Sequence, residues 1–258
     1  MRKLLVIGIG VGDPDFLTIQ AINALNSVDV FFLLDKGPAT ADLTAARRWI
    51  CERHIRDPRY RVVEVADPSR DRTASAYPAA VGDWRNERAH MLEHAITTEL
   101  GEDGCGGFLV WGDPCFYDGT IGVMETITAR GALAIDYEVI PGISSTQALA
   151  ARHRIVLNRI GGSVHITTGR RLSEGPLPDA ADIMVVLDAH LACTRFIDED
   201  LTIFWGAYLG TPEEVLISGE LRDVIAVIAR TRRELRHRKG WIMDCYLLRR
   251  PTALEDGT

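Results

Sequence analysis

The fold is decided by the stretch Phe108-Leu109-Val110-Trp111-Gly112-Asp113-Pro114-Cys115-Phe116-Tyr117-Asp118-Gly119. An apolar run ends at Gly112 and is followed by a carboxylate, a proline and two aromatic residues. Because Pro114 fixes its own φ and disfavours helical geometry at Asp113, the pattern predicts a strand, then a stiff loop, with a helix starting near Asp118. Ligands of open parallel sheets bind outside the carboxyl ends of strands, so this loop is a candidate ligand site. An ordinary Asp-Pro turn is the alternative.

On both sides of this stretch, apolar runs alternate with helical patterns as far as residue 152. Such alternation is typical of a parallel sheet with helices on both faces. The expected strands are Lys3–Ile9, Asp29–Leu34, Arg61–Val65, Phe108–Trp111 and Tyr137–Ile140. The first expected helix begins near Leu17. The others are Ala41–Arg56, Ala79–Leu100, Thr120–Arg130 and Ser144–Arg152.

The second part of the chain is richer in strands, and a clear helical pattern occurs only at Leu221–Arg236. The sequence therefore predicts two α/β domains, residues 1–155 with a parallel sheet and residues 162–250 with a mixed sheet, joined by the polar segment 153–162. The expected strands of the second domain are Val164–Thr168, Ile183–Leu187, Ile203–Tyr208, Val215–Gly219 and Trp241–Leu248.

Composition restricts the class of protein. A formal charge of −7 argues against a general nucleic-acid binder. Five scattered cysteines without a CxxC pair predict reduced thiols, and neither a signal peptide nor a membrane span is expected, so the cytoplasm is the expected location. Nearly all basic residues are arginine, which pairs bidentately with carboxylates and would suit a planar polycarboxylate ligand; coding bias is the alternative.

Two short motifs have weak functional interpretations. Gly8-Ile9-Gly10-Val11-Gly12-Asp13 resembles a dinucleotide-binding turn, but Asp13 stands where GxGxxG requires glycine and would repel a pyrophosphate. His90-Met91-Leu92-Glu93-His94 matches the pattern of inverted zinc peptidases. Only three of its positions are specified, and its surroundings are those of a solvated helix face, so we expect no bound metal.

Other polar residues follow predicted strands. Ser144 and Ser145 come after Pro141-Gly142, where a helix N-cap is the simplest role, although a hydroxyl there can also face a ligand. His165 and the pair Arg170-Arg171 lie at or beyond a strand exit, which is a better place for a binding site than for a core.

The order of these motifs resembles the tetrapyrrole methyltransferases. The similarity rests on the Gly-Asp-Pro-Asp turn, the later Gly-Asp-Pro, Pro-Gly-Ile-Ser-Ser, and Gly206-Ala207-Tyr208-Leu209-Gly210-Thr211. Longer stretches are similar to one branch of the family, namely those at residues 67–72, 110–114, 150–155, 165–171 and 241–244. That branch methylates ring carbon 1 of precorrin-5 and releases acetate on the route to cobalamin. The resemblance covers nearly the whole chain.

The resemblance implies a homodimer of two-domain α/β subunits that binds S-adenosylmethionine and releases S-adenosylhomocysteine. Many relatives have glycine in place of Trp111 and a methionine near Leu187-Asp188. The implied cofactor-binding residues are Pro14, Trp111, Gly112, Asp113, Phe116, Ser144, Ser145, Leu187, Asp188 and Gly210.

Acetate release requires a general base and stabilisation of an oxyanion. Candidates for this chemistry are Asp71, Tyr117, Asp118 and His165, and candidates for holding substrate carboxylates are Arg70, Arg72, Arg170 and Arg171. Three alternatives stay open: a sibling methyltransferase acting at another ring position, a tetrapyrrole- or adenosine-binding protein without turnover, and a zinc peptidase using His90 and His94.

Overall fold

The computed structural model describes residues 1–35, 41–68 and 77–251. The chain forms two compact units, Met1–Ile143 and a second unit that begins at Ser144. The sequence placed this boundary near residue 155, twelve residues later.

The first unit contains a five-stranded sheet in the order β3-β2-β4-β1-β5, with every pair of neighbouring strands parallel. The predicted parallel sheet is therefore confirmed. The strands are β1 (Arg2–Gly8), β2 (Val30–Asp35), β3 (Arg61–Ala66), β4 (Cys105–Val110) and β5 (Ile135–Ile140). The helices are α1 (Ile19–Leu25), α2 (Ala41–His54), α3 (Tyr77–Glu99) and α4 (Thr120–Arg130), and a 3₁₀ turn spans Pro14–Phe16.

Helices cover both faces of this sheet. Successive strand residues point to opposite faces, so Leu4 and Val6 pack with α3 and α4, whereas Leu5 and Ile7 pack with α1 and α2. A parallel sheet buried on both faces has continuous apolar strands, which explains why β1 is apolar from Leu4 to Ile7.

Strand β4 begins at Cys105, three residues before the predicted start. The prediction missed its first residues because two of them are glycines, which do not show a strand pattern in the sequence. A Cβ at Gly106 would lie 3.0 Å from the ring of Phe32, and one at Gly107 would lie 3.0 Å from the ring of Phe31. The glycines therefore let two large aromatic side chains of β2 pack against β4, although glycine is a poor strand former.

Strands β1 and β4 lie side by side at the point where the chain changes direction across the sheet. After β1 the chain moves toward β2 and β3, and after β4 it crosses β1 to reach β5. In open α/β sheets, the loops that leave such neighbouring strands in opposite directions border the ligand site. The loops after residues 8 and 110 are therefore the place to examine.

The second unit contains a mixed sheet in the order β6-β7-β10-β8-β9, in which only the β6–β7 pair is parallel. This confirms the predicted mixed sheet. Its strands are β6 (Val164–Thr168), β7 (Asp182–Val186), β8 (Thr202–Ala207), β9 (Val215–Glu220) and β10 (Asp244–Arg249). Its helices are α5 (Ser145–His153), α6 (Gly169–Glu174) and α7 (Leu221–Lys239), and a 3₁₀ turn spans Ala192–Phe196.

Helix α5 belongs to the second unit because its inner face packs on β8. The side chain of Leu149 occupies the space beside Gly206, where a Cβ would come within 2.7 Å of it. The ring of His153 lies edge-on to Phe204 at 5.5 Å, and its Nε2 is 3.0 Å from the carbonyl oxygen of Trp205. These contacts account for the early boundary at Ser144.

His153 makes stability depend on pH. Burial lowers the pKa of its imidazole below the usual 6.5, while the Trp205 carbonyl and the Glu214 carboxylate oppose that shift. The folded state therefore favours the neutral ring. Its contribution to stability is complete above pH 6.5 and is lost as the pH falls through the folded-state pKa.

We expect the free energy of unfolding of wild type to fall below pH 6.5 more steeply than that of His153→Gln, by up to about 1.4 kcal/mol per pH unit. Glutamine keeps a donor for the Trp205 carbonyl but does not titrate. Urea unfolding between pH 5 and 8 measures both slopes. Parallel curves for the two proteins would contradict this role of His153.

Candidate functional site

Three loops at the carboxyl ends of β1, β4 and β5 meet in the first unit. The loops after β1 and β4 are joined by an isolated antiparallel bridge between Gly10 and Gly112. The Gly112 N–H donates to the Gly10 carbonyl oxygen at 2.7 Å, and the Gly10 N–H donates to the Gly112 carbonyl oxygen at 3.3 Å. Both glycines have positive φ, at 71° and 74°, which side chains disfavour.

The loop after β5 packs directly against the backbone of the other two. A Cβ at Gly142 would lie 2.2 Å from the Gly112 carbonyl oxygen, and one at Gly8 would lie 2.5 Å from the Gly142 nitrogen. Both distances are shorter than van der Waals contact. Glycine at positions 8 and 142 is therefore required for the three loops to meet.

Asp113 ties these loops together through its carboxylate. One oxygen accepts from the Gly142 N–H at 2.8 Å, and the other accepts from the Cys115 N–H at 2.8 Å, within its own loop. The Asp113 side chain therefore fixes the distance between the loops after β4 and β5. Its contact with a cofactor stays a prediction.

The predicted site residue Pro14 lies in a turn that packs on the first of these loops. Pro14 is buried, and the turn is capped by the Asp13 carboxylate, which accepts from the Asp15 N–H at 2.9 Å. Gly10 has no space for a side chain because the Cβ of Phe16 lies 2.8 Å from where its Cβ would be. The turn that contains Pro14 therefore packs on the loop that is bridged to Gly112.

The aromatic residues after β4 divide between core and surface. Trp111 is half-buried and packs against the core cluster shared by α1 and α2. Phe116 lies edge-on to Tyr117 at 4.9 Å, and Tyr117 is 50% exposed with a φ of 54°. Asp118 is exposed, and one carboxylate oxygen accepts from the Thr120 N–H at 2.7 Å at the start of α4.

In the second unit, Ser144 is the N-cap of α5, as the simplest interpretation of the sequence predicted. It forms a capping box with Gln147, and its hydroxyl lies 2.7 Å from the Thr146 hydroxyl. Ser144 is buried and Ser145 is half-buried. The Ser144 hydroxyl is therefore already used by the helix.

The structure distinguishes Leu187 from Asp188. Leu187 is 66% exposed with a φ of 53°. Asp188 is buried, and its carboxylate accepts from the N–H groups of His190 (2.9 Å) and Ala192 (2.7 Å) and from the Tyr246 hydroxyl (2.6 Å). Burial raises the pKa of Tyr246 well above its usual value, and the negative charge of Asp188 acts in the same direction, so its hydroxyl remains a donor. Only Leu187 of this pair is open to a ligand.

Gly210 lies in a tight turn after β8, with a φ of 73°. Its N–H donates to the Glu214 carboxylate at 2.7 Å, and the same oxygen accepts from Arg152 Nε at 3.0 Å. The Gly210 N–H is therefore used within the turn, so the backbone group that Gly210 could offer to a ligand is its carbonyl oxygen.

The remaining predicted residues are spread over the chain. Arg70, Asp71 and Arg72 lie outside the described residues. Arg170 and Arg171 are exposed in the first turn of α6, and Arg171 pairs with Glu174 at 3.6 Å. His165 is exposed on the edge strand β6.

The histidines of the zinc-peptidase pattern lie on the solvent side of α3. His90 and His94 are both exposed, and within the described ranges no three potential ligands are grouped to hold a metal ion. Among the same residues, no helix is long and apolar enough to cross a membrane.

The sequence missed the contacts of Gly8, Gly10 and Gly142. Glycine recurs at or just after the ends of the apolar runs of β1, β4 and β5, which suggests close backbone approach. A single sequence does not reveal which backbones approach one another.

Comparison with known proteins identifies the family of the chain. The family model described as Tetrapyrrole (Corrin/Porphyrin) Methylases matches residues 3–225. The chain is 48% identical over 256 residues to the precorrin-6A synthase (deacetylating) of a Sinorhizobium species, across 99% of this chain and 98% of that protein.

Two solved structures have the same fold. One is a protein from Corynebacterium diphtheriae described as related to cobalamin synthesis (CobF), with a TM-score of 0.84 and 40% identity over 96% of this chain and 98% of that one. The other is the uroporphyrin-III C-methyl transferase of Thermus thermophilus complexed with S-adenosylhomocysteine, with a TM-score of 0.54 and 17% identity over 95% and 96%. The chain belongs to the tetrapyrrole (corrin/porphyrin) methylases.

Proposed function

We propose that the protein methylates precorrin-5 at C-1 and releases acetate, giving precorrin-6A in cobalamin biosynthesis. The observation that carries this proposal is the 48% identity to a precorrin-6A synthase (deacetylating), which extends over 99% of the chain. A match of that length includes the strand-end loops described above as well as the second unit.

The proposed methyl donor is S-adenosylmethionine, whose sulfonium supplies a methyl group to the substrate. The loops after β1, β4 and β5 suit such a ligand. They present backbone atoms and the carboxylates of Asp13 and Asp113 and contain no lysine or arginine. This set of groups favours a cationic ligand and would repel a pyrophosphate. The solved Thermus thermophilus relative is a complex with the demethylated form of this donor.

The contribution of this chain to methyl transfer is alignment. An in-line displacement at a sulfonium consumes charge and gains most from fixed geometry and exclusion of water. The Gly10–Gly112 bridge and the carboxylate of Asp113 hold the three loops in one arrangement, so that the ligand meets a preorganised surface. Pro14 and Phe116 would add apolar contacts. Contacts by Ser144, Ser145, Leu187, Asp188 and Gly210 remain proposals for the second unit, with Asp188 the weakest because its carboxylate is already occupied.

Acetate release requires water to attack the acyl carbonyl, so that a carbon–oxygen bond forms and the bond between the acyl carbon and the macrocycle then breaks. A base accepts the proton of the water, and the macrocycle keeps the electron pair of the broken bond. Of the four candidates, we propose Asp118 as the base. One of its oxygens accepts from Thr120, and within the described part of the chain the other has no hydrogen bond. The hydroxyl of Tyr117, which immediately precedes Asp118, is proposed to donate to the oxyanion. His165 and Asp71 remain alternatives.

The test is turnover of enzymatically prepared precorrin-5 with methyl-labelled S-adenosylmethionine. We expect one labelled methyl group at C-1 and one acetate per turnover. Labelling at another ring carbon would identify a sibling methyltransferase instead. Binding of both ligands without label transfer would indicate a non-catalytic binding protein.

Substrate carboxylates are proposed to pair with Arg70, Arg72, Arg170 and Arg171. A homodimer in the cytoplasm is also proposed. The proposal of a reducing compartment rests on the five scattered cysteines, which contain no CxxC pair. Sedimentation of the purified protein measures the oligomeric state.

A further inference from the structure

Arg47 occupies the ligand-binding edge of the first unit but belongs to none of the loops described above. It lies on α2, and its Nε donates to the carbonyl oxygen of Leu109 at 3.1 Å. Leu109 is the second-to-last residue of β4, so this bond holds the guanidinium at the carboxyl end of that strand. Arg47 is only partly exposed.

Among the residues that the structure describes, the two Nη groups of Arg47 have no hydrogen-bond acceptor. Across residues 1–35, 41–68 and 77–251, its only hydrogen bond is the one from Nε. The neighbouring Arg48 is exposed and pairs with Glu64 at 2.5 Å. Burial lowers the pKa of the Arg47 guanidinium, and the negative charge of Asp118 opposes that shift. A desolvated cation with unused donors is unfavourable unless an anion completes it.

The Arg47 side chain lines a cavity of about 510 Å³ between α2 and the sheet. Its lining includes Leu33 of β2, Leu109 of β4 and the ring of Tyr60. Two carboxylates also line it, of which Glu64 is neutralised by Arg48, while Glu52 lies one helical turn beyond Arg48. A cavity of this size admits an acetate or propionate side chain of a larger ligand.

We propose that Arg47 binds a side-chain carboxylate of the tetrapyrrole substrate. Planar guanidinium groups bind carboxylates through two parallel hydrogen bonds, and two unused Nη donors at a fixed position provide that geometry. The proposal rests on the proposed function, because a precorrin is the polycarboxylate that the enzyme would bind. It places a substrate contact on α2, where the sequence predicted none.

The experiment compares wild type with Arg47→Gln and Arg47→Lys. We expect Arg47→Gln to raise the KM for precorrin-5 by 10- to 100-fold, with kcat changed less than threefold. Arg47→Lys should recover part of this loss because it keeps the charge but not the two parallel donors. The Kd for S-adenosylhomocysteine, measured by calorimetry, should stay within twofold of wild type. Arg59→Gln, which removes an exposed arginine paired with Asp57, serves as the control.

An unchanged KM in Arg47→Gln would overturn the proposal, as would a loss of S-adenosylhomocysteine affinity, which would assign Arg47 to the cofactor carboxylate. A fall in melting temperature with no change in KM would also overturn it, because Arg47 would then serve only the structural bond to Leu109. Binding of uroporphyrin III, followed by fluorescence quenching, separates this proposal from the proposed function. If wild type binds this polycarboxylate more tightly than Arg47→Gln but does not turn over precorrin-5, only the function fails.

Discussion

Replacing Asp113 by alanine is expected to weaken S-adenosylhomocysteine binding by at least roughly 100-fold. The carboxylate accepts from the Gly142 N–H in the loop after β5 and from the Cys115 N–H in its own loop. A hydrogen bond to a charged group contributes about 1.5–3 kcal/mol, and without it both amides lose their acceptor. The loops after β4 and β5 would then separate, and the preorganised surface would be lost. Titration calorimetry measures the affinity.

Asp113→Asn is the matched control. Its amide has one oxygen acceptor in place of two, so it can preserve either bond but not both. We expect a loss of about tenfold, between wild type and alanine. Thermal unfolding of the same proteins should follow the same order. An alanine variant that binds S-adenosylhomocysteine as tightly as wild type would show that the loops do not depend on Asp113.

The architecture of the first unit was predictable because local patterns agree with the tertiary structure. The strand before Gly112, the stiff loop at Pro114 and helix α4 are each encoded by residues close in sequence. In the second unit, helix α6 was missed because its six residues are too few to display helical periodicity. The start of β4 was missed because Gly106 is a poor strand former, and its place in the sheet depends on the Phe32 ring of another strand.

The sequence predicted a site residue where the chemistry and local position of that residue define its role. It missed the role where a partner that is distant in the chain defines it. Asp113 was identified from its position after a strand, but its main partner, Gly142, lies 29 residues further along the chain. The difference between Leu187 and Asp188 depends on Tyr246, which is 58 residues from Asp188. Arg47 is one of many arginines in a helical pattern. Its distinction is a bond to Leu109, 62 residues away, which no local pattern encodes.

The substitution Gly142→Ala is expected to disrupt the site without removing any polar group. The new Cβ would lie 2.2 Å from the Gly112 carbonyl oxygen and 2.8 Å from the Gly8 carbonyl carbon, so it meets backbone on two sides. Backbone cannot rotate away as a flexible side chain can, and the loops must move apart by about 1 Å to restore van der Waals contact. That movement also stretches the bond from the Gly142 N–H to Asp113. We expect a loss of about 3 kcal/mol in unfolding free energy and at least roughly 100-fold in S-adenosylhomocysteine affinity.

Gly101→Ala is the control, because a Cβ at that position meets no atom within 4 Å and its φ is not positive. It should change the unfolding free energy by less than about 0.5 kcal/mol and leave the affinity unchanged. Urea unfolding and calorimetry on the two variants test whether the effect arises from the contact or from the methyl group itself. If Gly142→Ala behaves like Gly101→Ala, the close approach of the three loops does not govern binding. If instead Gly142→Ala loses affinity while Gly101→Ala does not, binding requires the close approach of the loops that a side chain at position 142 prevents.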